Sequence, residues 1–259
     1  MKENEERVDE IEKYYKAPKK IGVSNFILFW ILATTSLVLP FIVDYPVIHK
    51  YTSRTFMFLI VIYFFSSMIS KLYLVPKAES KRKKQFLSNS LGVNIIIEST
   101  KKYYNNTLKP SFIKLAANTM ENAFFSNSVI AKMLIKRRVI IGLYLLLWLG
   151  LFIYKIENIH FLIWITQTLF TTELVLQWVS LEILLRRYKN VYKSLYNHFL
   201  NNVGAETNVA KACIIDLFSD YEAAKSSAGI LLSSKIFNKM NDELTEEWVK
   251  IRSKLKMDE

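Results

Sequence analysis

Apolar residues in this chain are gathered into four uncharged runs, Ile21–Val43, Thr55–Ser70, Val139–Tyr154 and Asn158–Thr172. A helix needs about 20 residues to cross the hydrocarbon core of a bilayer. The first run is long enough alone. The second reaches span length by continuing through Lys71 to Val75, and the third by beginning near Arg137 and ending near Ile156. In both, the flanking Lys and Arg can snorkel toward the headgroups. The fourth becomes a span only by accepting Glu173, which gives a helix from Ile159 to Leu185. The pattern therefore predicts an all-α membrane protein with four transmembrane helices in two hairpins. A signal peptide is a poor reading of the first run, which starts behind the charged segment Met1–Lys20 and lacks a small-residue cleavage site.

Basic residues then orient the spans. Of the 35 Lys and Arg, all but Lys50, Arg54 and Lys155 fall in Met1–Lys20, Lys71–Arg138 and Arg186–Glu259. The positive-inside rule makes that side cytoplasmic and places both termini there. The expected organisation is a cytosolic N-terminal helix over 1–20, a first hairpin over 21–75 and a cytosolic helical segment over 76–136. A second hairpin over 137–185 and a helical cytosolic domain over 186–259 follow. Within the last, Ala210, Cys213, Ile214, Leu217, Phe218 and Tyr221 recur at helical spacing across Val209–Leu232, interrupted at Gly229. Trp248, Ile251 and Leu255 mark a second helix over Asp242–Lys256, and Leu231–Asn238 reads as a packed connector.

The fourth span carries the most unusual chemistry. Thr166, Glu173, Gln177 and Ser180 are spaced by seven, four and three residues, which keeps them on one helical face. An ionised carboxylate at mid-bilayer costs roughly 3 kcal/mol on insertion scales, so such a group calls for a function. One four-helix bundle is filled by its own side chains. Several copies around an axis would instead line a conduit with this face, Glu182 lying near its cytosolic mouth. The competing reading has Glu173 protonated, or hydrogen-bonded to Gln177, Thr35 or Ser66 on neighbouring helices.

The net charge of +12 is explained by topogenic and lipid-facing clusters at Lys81–Lys84, Lys136–Arg138 and Arg186–Arg187, although basic cytosolic patches also suit phosphates. Lys101 and Lys102 lie farther from the expected membrane ends. Together with Tyr103, Tyr104, Asn105 and Asn106 they resemble a surface that stacks bases and holds phosphates. The dense Asn and Ser between Phe86 and Asn127 otherwise suit caps and turns. A single Cys213 and three scattered His supply no disulfide and no metal set, and no cofactor is expected. No Gly-rich phosphate loop, nucleophile elbow or paired catalytic carboxylates occur, so the chain is read as a non-enzyme.

The whole plan resembles the SMODS-associating four-transmembrane effectors of bacterial nucleotide-signalling antiphage systems. The likeness rests on the Tyr14–Lys16 run, FLSNSLG (Phe86–Gly92), KKYYNN (Lys101–Asn106), ENAFFSN (Glu121–Asn127) and the tail from Tyr221 through LLSSKIFNKMNDELTEEW (Leu231–Trp248). The chain departs from the better-known members at Thr245–Trp248, where they tend to carry a proline-containing turn. The resemblance implies an inner-membrane effector that perforates or depolarises the membrane in response to a signalling oligonucleotide or cyclic nucleotide from a partner nucleotidyltransferase. It implies membrane lipid and copies of itself as partners, and no genomic nucleic acid. The alternative is a membrane-anchored scaffold that recruits a cytosolic partner without conduction.

Overall fold

A computed structural model of the protein describes residues 8–98, 100–101, 103–153, 174–202 and 207–257. Apart from a two-residue antiparallel bridge, its regular structure is helical, as the periodicity predicts. The chain divides into two compact units. One is Glu12–Glu79, and the other is Ser80–Glu259 together with Met1–Ile11.

The smaller unit consists of α1 (Glu12–Val38), a 3-10 turn (Leu39–Ile42), α2 (Pro46–Ile69), a π-turn (Ser70–Leu74) and the opening of α3 (Val75–Leu91). α1 continues through the expected boundary at Lys20, despite Pro18 within it. Pro46 opens α2, where the N–H that proline lacks has no partner in the helix anyway. α1 packs on α2. Among its described residues α2 buries none, and Met57, Phe58, Phe64 and Phe65 all lie at least half exposed. An apolar surface of that extent is of the kind that suits a membrane or another apolar body. Among the described residues one helical run, Pro46–Leu91, is long and apolar enough to cross a membrane. Of the fourth expected span, Ile159–Leu185, residues 159–173 lie outside the described residues, and 174–185 are helical.

The larger unit holds the core. After α3 come the bridge strand β2 (Thr100–Lys101), which pairs antiparallel with β1 (Val8–Asp9), then α4 (Phe112–Ile153), α5 (Leu174–Asn202), α6 (Asn208–Ala228) and α7 (Ser234–Lys254). α4 packs along α5 and is also met by α6 and α7, while α5 meets α6. Leu115, Met120, Ile130 and Leu134 of α4 interlock with Leu181, Tyr188 and Leu195 of α5, Ile214 and Phe218 of α6, and Trp248 of α7. Full burial of each such side chain contributes about 1.5–3 kcal/mol.

Past Leu134 the environment of α4 changes. Ile135, Val139, Leu143, Leu146 and Ile153 are more than half exposed, although the helix continues without a break. Local caps explain the helix ends. Ser111 Oγ accepts from the Lys114 N–H (3.1 Å) just after Pro110, and Thr207 Oγ1 accepts from the Ala210 N–H (3.1 Å). Gly229 ends α6 in the left-handed region (φ 56°), so the interruption seen in the sequence is a C-cap. Ser233 then caps α7, which starts eight residues before the expected Asp242.

Candidate functional site

Two polar regions lie in the larger unit. The first is built where the loop after β2 crosses α3 and α4. Asn118, buried on α4, donates to Ser90 Oγ (2.9 Å) and Asn89 Oδ1 (3.3 Å) of α3 and accepts from the Asn106 amide (2.7 Å). One turn on, Glu121 Oε1 accepts from both the Asn105 backbone N–H (3.1 Å) and its side-chain amide (2.9 Å). Glu121 is 4% exposed, and its Oε2 is buried without a hydrogen-bond partner among the described residues. Burial pushes its carboxyl up from the ordinary 4.5 to about 7, against the opposing pull of Asn105, the Arg252 guanidinium and Asn106.

The two tyrosines of the loop point different ways. Tyr104 is set edge-on to Phe86 (5.5 Å), which stacks on Phe218 of α6 (5.3 Å), and burial holds its hydroxyl well above the ordinary phenol range. Tyr103 lies under the Arg82 guanidinium, 4.7 Å from the ring centre. That guanidinium forks onto Asp9, Nη1 to Oδ1 (3.1 Å) and Nη2 to Oδ2 (2.8 Å). Asp9 Oδ1 also accepts from the Ile11 N–H (3.1 Å), and the Ile11 side chain is fully buried. Gln85 donates to the Thr100 hydroxyl, and Lys81 pairs with Glu98 (3.3 Å).

The expected ligand residues are therefore distributed as follows. Tyr103 borders the Arg82–Asp9 pair, whereas Tyr104, Asn105 and Asn106 are engaged inward with Phe86, Glu121 and Asn118. Lys101 contributes its backbone to the bridge with Val8, and Lys102 lies outside the described residues. Asp9, Arg82, Glu121 and Asn118 escaped the sequence reading. The only signal for them was an acid inside the ENAFFSN motif and an arginine inside a basic run.

The second polar region runs along α5. Gln177 and Ser180 are half-buried and three residues apart, hence on one side of the helix. Glu182 accepts a forked pair from Arg138 of α4 (Nε 2.7 Å, Nη2 2.9 Å) and a third bond from the Trp178 indole (3.0 Å). Thr166 and Glu173 lie outside the described residues. In the smaller unit, Asn25 of α1 bonds both Ser66 and Ser67 of α2, so Ser66 already has a partner. The sequence reading passed over Asn25, although it is the one amide in the Ile21–Val43 run. No groups able to hold a metal ion occur among the described residues. No family model, curated protein or solved structure matches this chain.

Proposed function

We propose that this chain is a four-span membrane effector that assembles with copies of itself into an ion-conducting pore, gated through its cytosolic helices by a signalling nucleotide. In this reading both termini are cytosolic and the two hairpins sit in a bacterial inner membrane. The face bearing Thr166, Glu173, Gln177 and Ser180 lines the conduit, with Glu182 at its inner mouth. The single observation that carries it is α4. This 42-residue helix is clamped by a packed core up to Leu134 and then continues, unbroken, to Ile153, with Ile135, Val139, Leu143, Leu146 and Ile153 exposed and Ile141 buried. A rearrangement of the core around its first half is transmitted along a stiff helix to its second half, the arrangement a ligand-biased gate requires. The nucleotide, the nucleotidyltransferase that makes it and the role in antiphage defence are drawn from the family resemblance. The Arg138–Glu182 pair supports the gate because it ties α4 to α5 where the buried surface gives way to the exposed one.

The test is ion flux from liposomes holding the purified chain, with and without extract from cells expressing its neighbouring genes. Flux that switches with the extract is expected. A tight bilayer under both conditions, with the protein correctly inserted, overturns the pore and leaves the anchored scaffold.

A further inference from the structure

The Arg82 guanidinium is presented as a flat fork. The Tyr103 ring lies 4.7 Å from its centre, and two of its N–H groups meet the two oxygens of Asp9 in the side-by-side geometry that guanidinium offers equally to phosphate. The segment that delivers Asp9 is anchored at one end by the buried Ile11 side chain and is otherwise joined to the fold by a short ladder. Among the described residues its ladder pairs Val8 with Lys101 and Asp9 with Thr100, and a ladder so short has little stability of its own. Arg82 of the basic run and Tyr103 of the KKYYNN run, one residue from each of two sequence motifs with phosphate-binding character, thus meet at one point, and the acidic side chain of Asp9 fills it.

We propose that Arg82 and Tyr103 form a phosphate-binding site occupied by the chain's own Asp9, so that Val8–Ile11 is an intramolecular competitor of a phosphate-bearing ligand. The proposal rests on the nucleotide-gated reading above and gives it a place to act. A terminal phosphate carries up to about twice the charge of a carboxylate and three acceptor oxygens, so a ligand that presents one displaces Asp9 from the fork. Occupancy is reported inward by a chain of ring contacts, Tyr103 to Tyr104 (4.9 Å), Tyr104 to Phe86 (5.5 Å) and Phe86 to Phe218 (5.3 Å). It is reported outward along the chain, because Ile11 is followed directly by Glu12, the first residue of α1.

The probe is inorganic pyrophosphate, titrated at fixed ionic strength onto the full chain in neutral detergent micelles. Affinity is measured by calorimetry, and release of Val8–Ile11 by backbone hydrogen exchange. Pyrophosphate is expected to speed exchange in that segment. Asp9→Asn is expected to bind pyrophosphate about tenfold more tightly, the scale of one lost charge-assisted competitor. Arg82→Gln is expected to lose binding, and Asp9→Glu, which keeps the carboxylate, to bind as weakly as the unaltered chain. Asp9→Asn with unchanged helix content and no gain in affinity overturns the proposal, as does undiminished binding by Arg82→Gln. A parallel arm places the chain in nanodiscs of anionic lipid without pyrophosphate. Release of the segment there, and not with pyrophosphate, keeps the site but assigns its phosphate to a lipid headgroup and overturns the soluble ligand. Liposomes that stay tight while pyrophosphate still displaces the segment would sink the pore alone, so the two readings fail separately.

Discussion

Glu121 is the residue at which burial and hydrogen bonding conflict most openly. Its raised folded-state pKa means that the folded chain holds a proton there which the unfolded chain gives up near pH 4.5. The resulting stability is fully present below about pH 4.5 and is lost as pH rises through about 7, a change of about 3 kcal/mol. Unfolding of the solubilised chain followed by circular dichroism from pH 5 to 8 should show this decline, and Glu121→Gln should flatten it. Two glycines make a second contrast. Both occupy the left-handed region, but a Cβ on Gly92 would lie 2.7 Å from Pro110 Cβ, whereas one on Gly229 would meet nothing within 4 Å. Gly229→Ala is expected to cost about 1 kcal/mol from backbone strain alone, and Gly92→Ala about 3 kcal/mol because overpacking is added. Thermal melts of the two variants side by side check the order. At this scale little of the site was legible. The letters KKYYNN announce aromatic and amide chemistry, but only the crossing of α3 and α4 decides that Tyr104, Asn105 and Asn106 turn toward Phe86, Glu121 and Asn118.

The elements were far easier to read. α6 was expected over Val209–Leu232 and runs from Asn208 to Ala228, the difference being the left-handed cap at Gly229. α7 begins earlier than its most regular stripe suggested, because Ser233 caps it and Phe237 and Met240 add contacts that a stripe read from Trp248 misses. ENAFFSN shows the limit of composition as a guide. Its Asn and Ser suit turns, yet they sit within α4, where their neighbours Phe124 and Phe125 meet Trp248 and Phe237. That packing makes Trp248 the anchor of α7. It is fully buried, and its ring stacks with Phe124 at 6.1 Å. Trp248→Ala should cost about 3–5 kcal/mol and open Ser234–Lys254 to limited proteolysis. The half-exposed neighbour Val249 should tolerate alanine within about 0.5 kcal/mol.

For the molecule as a whole, topology is the property that charge arithmetic reaches and helix packing does not. The chain carries one cysteine, Cys213, which is exposed on α6 in the segment assigned to the cytosol. A membrane-impermeant maleimide should label it in inside-out membrane vesicles and leave it unlabelled in right-side-out vesicles. The opposite pattern would invert the assigned orientation. The long α4 has a further consequence for how the chain is made. Its first half is covered by α5, α6 and α7, all of which are encoded after it. A chain that stops after α4 therefore leaves Leu115, Met120, Ile130 and Leu134 without the elements that bury them. Translation pausing or truncation after Ile153 should leave an aggregation-prone product although every residue of the helix is present.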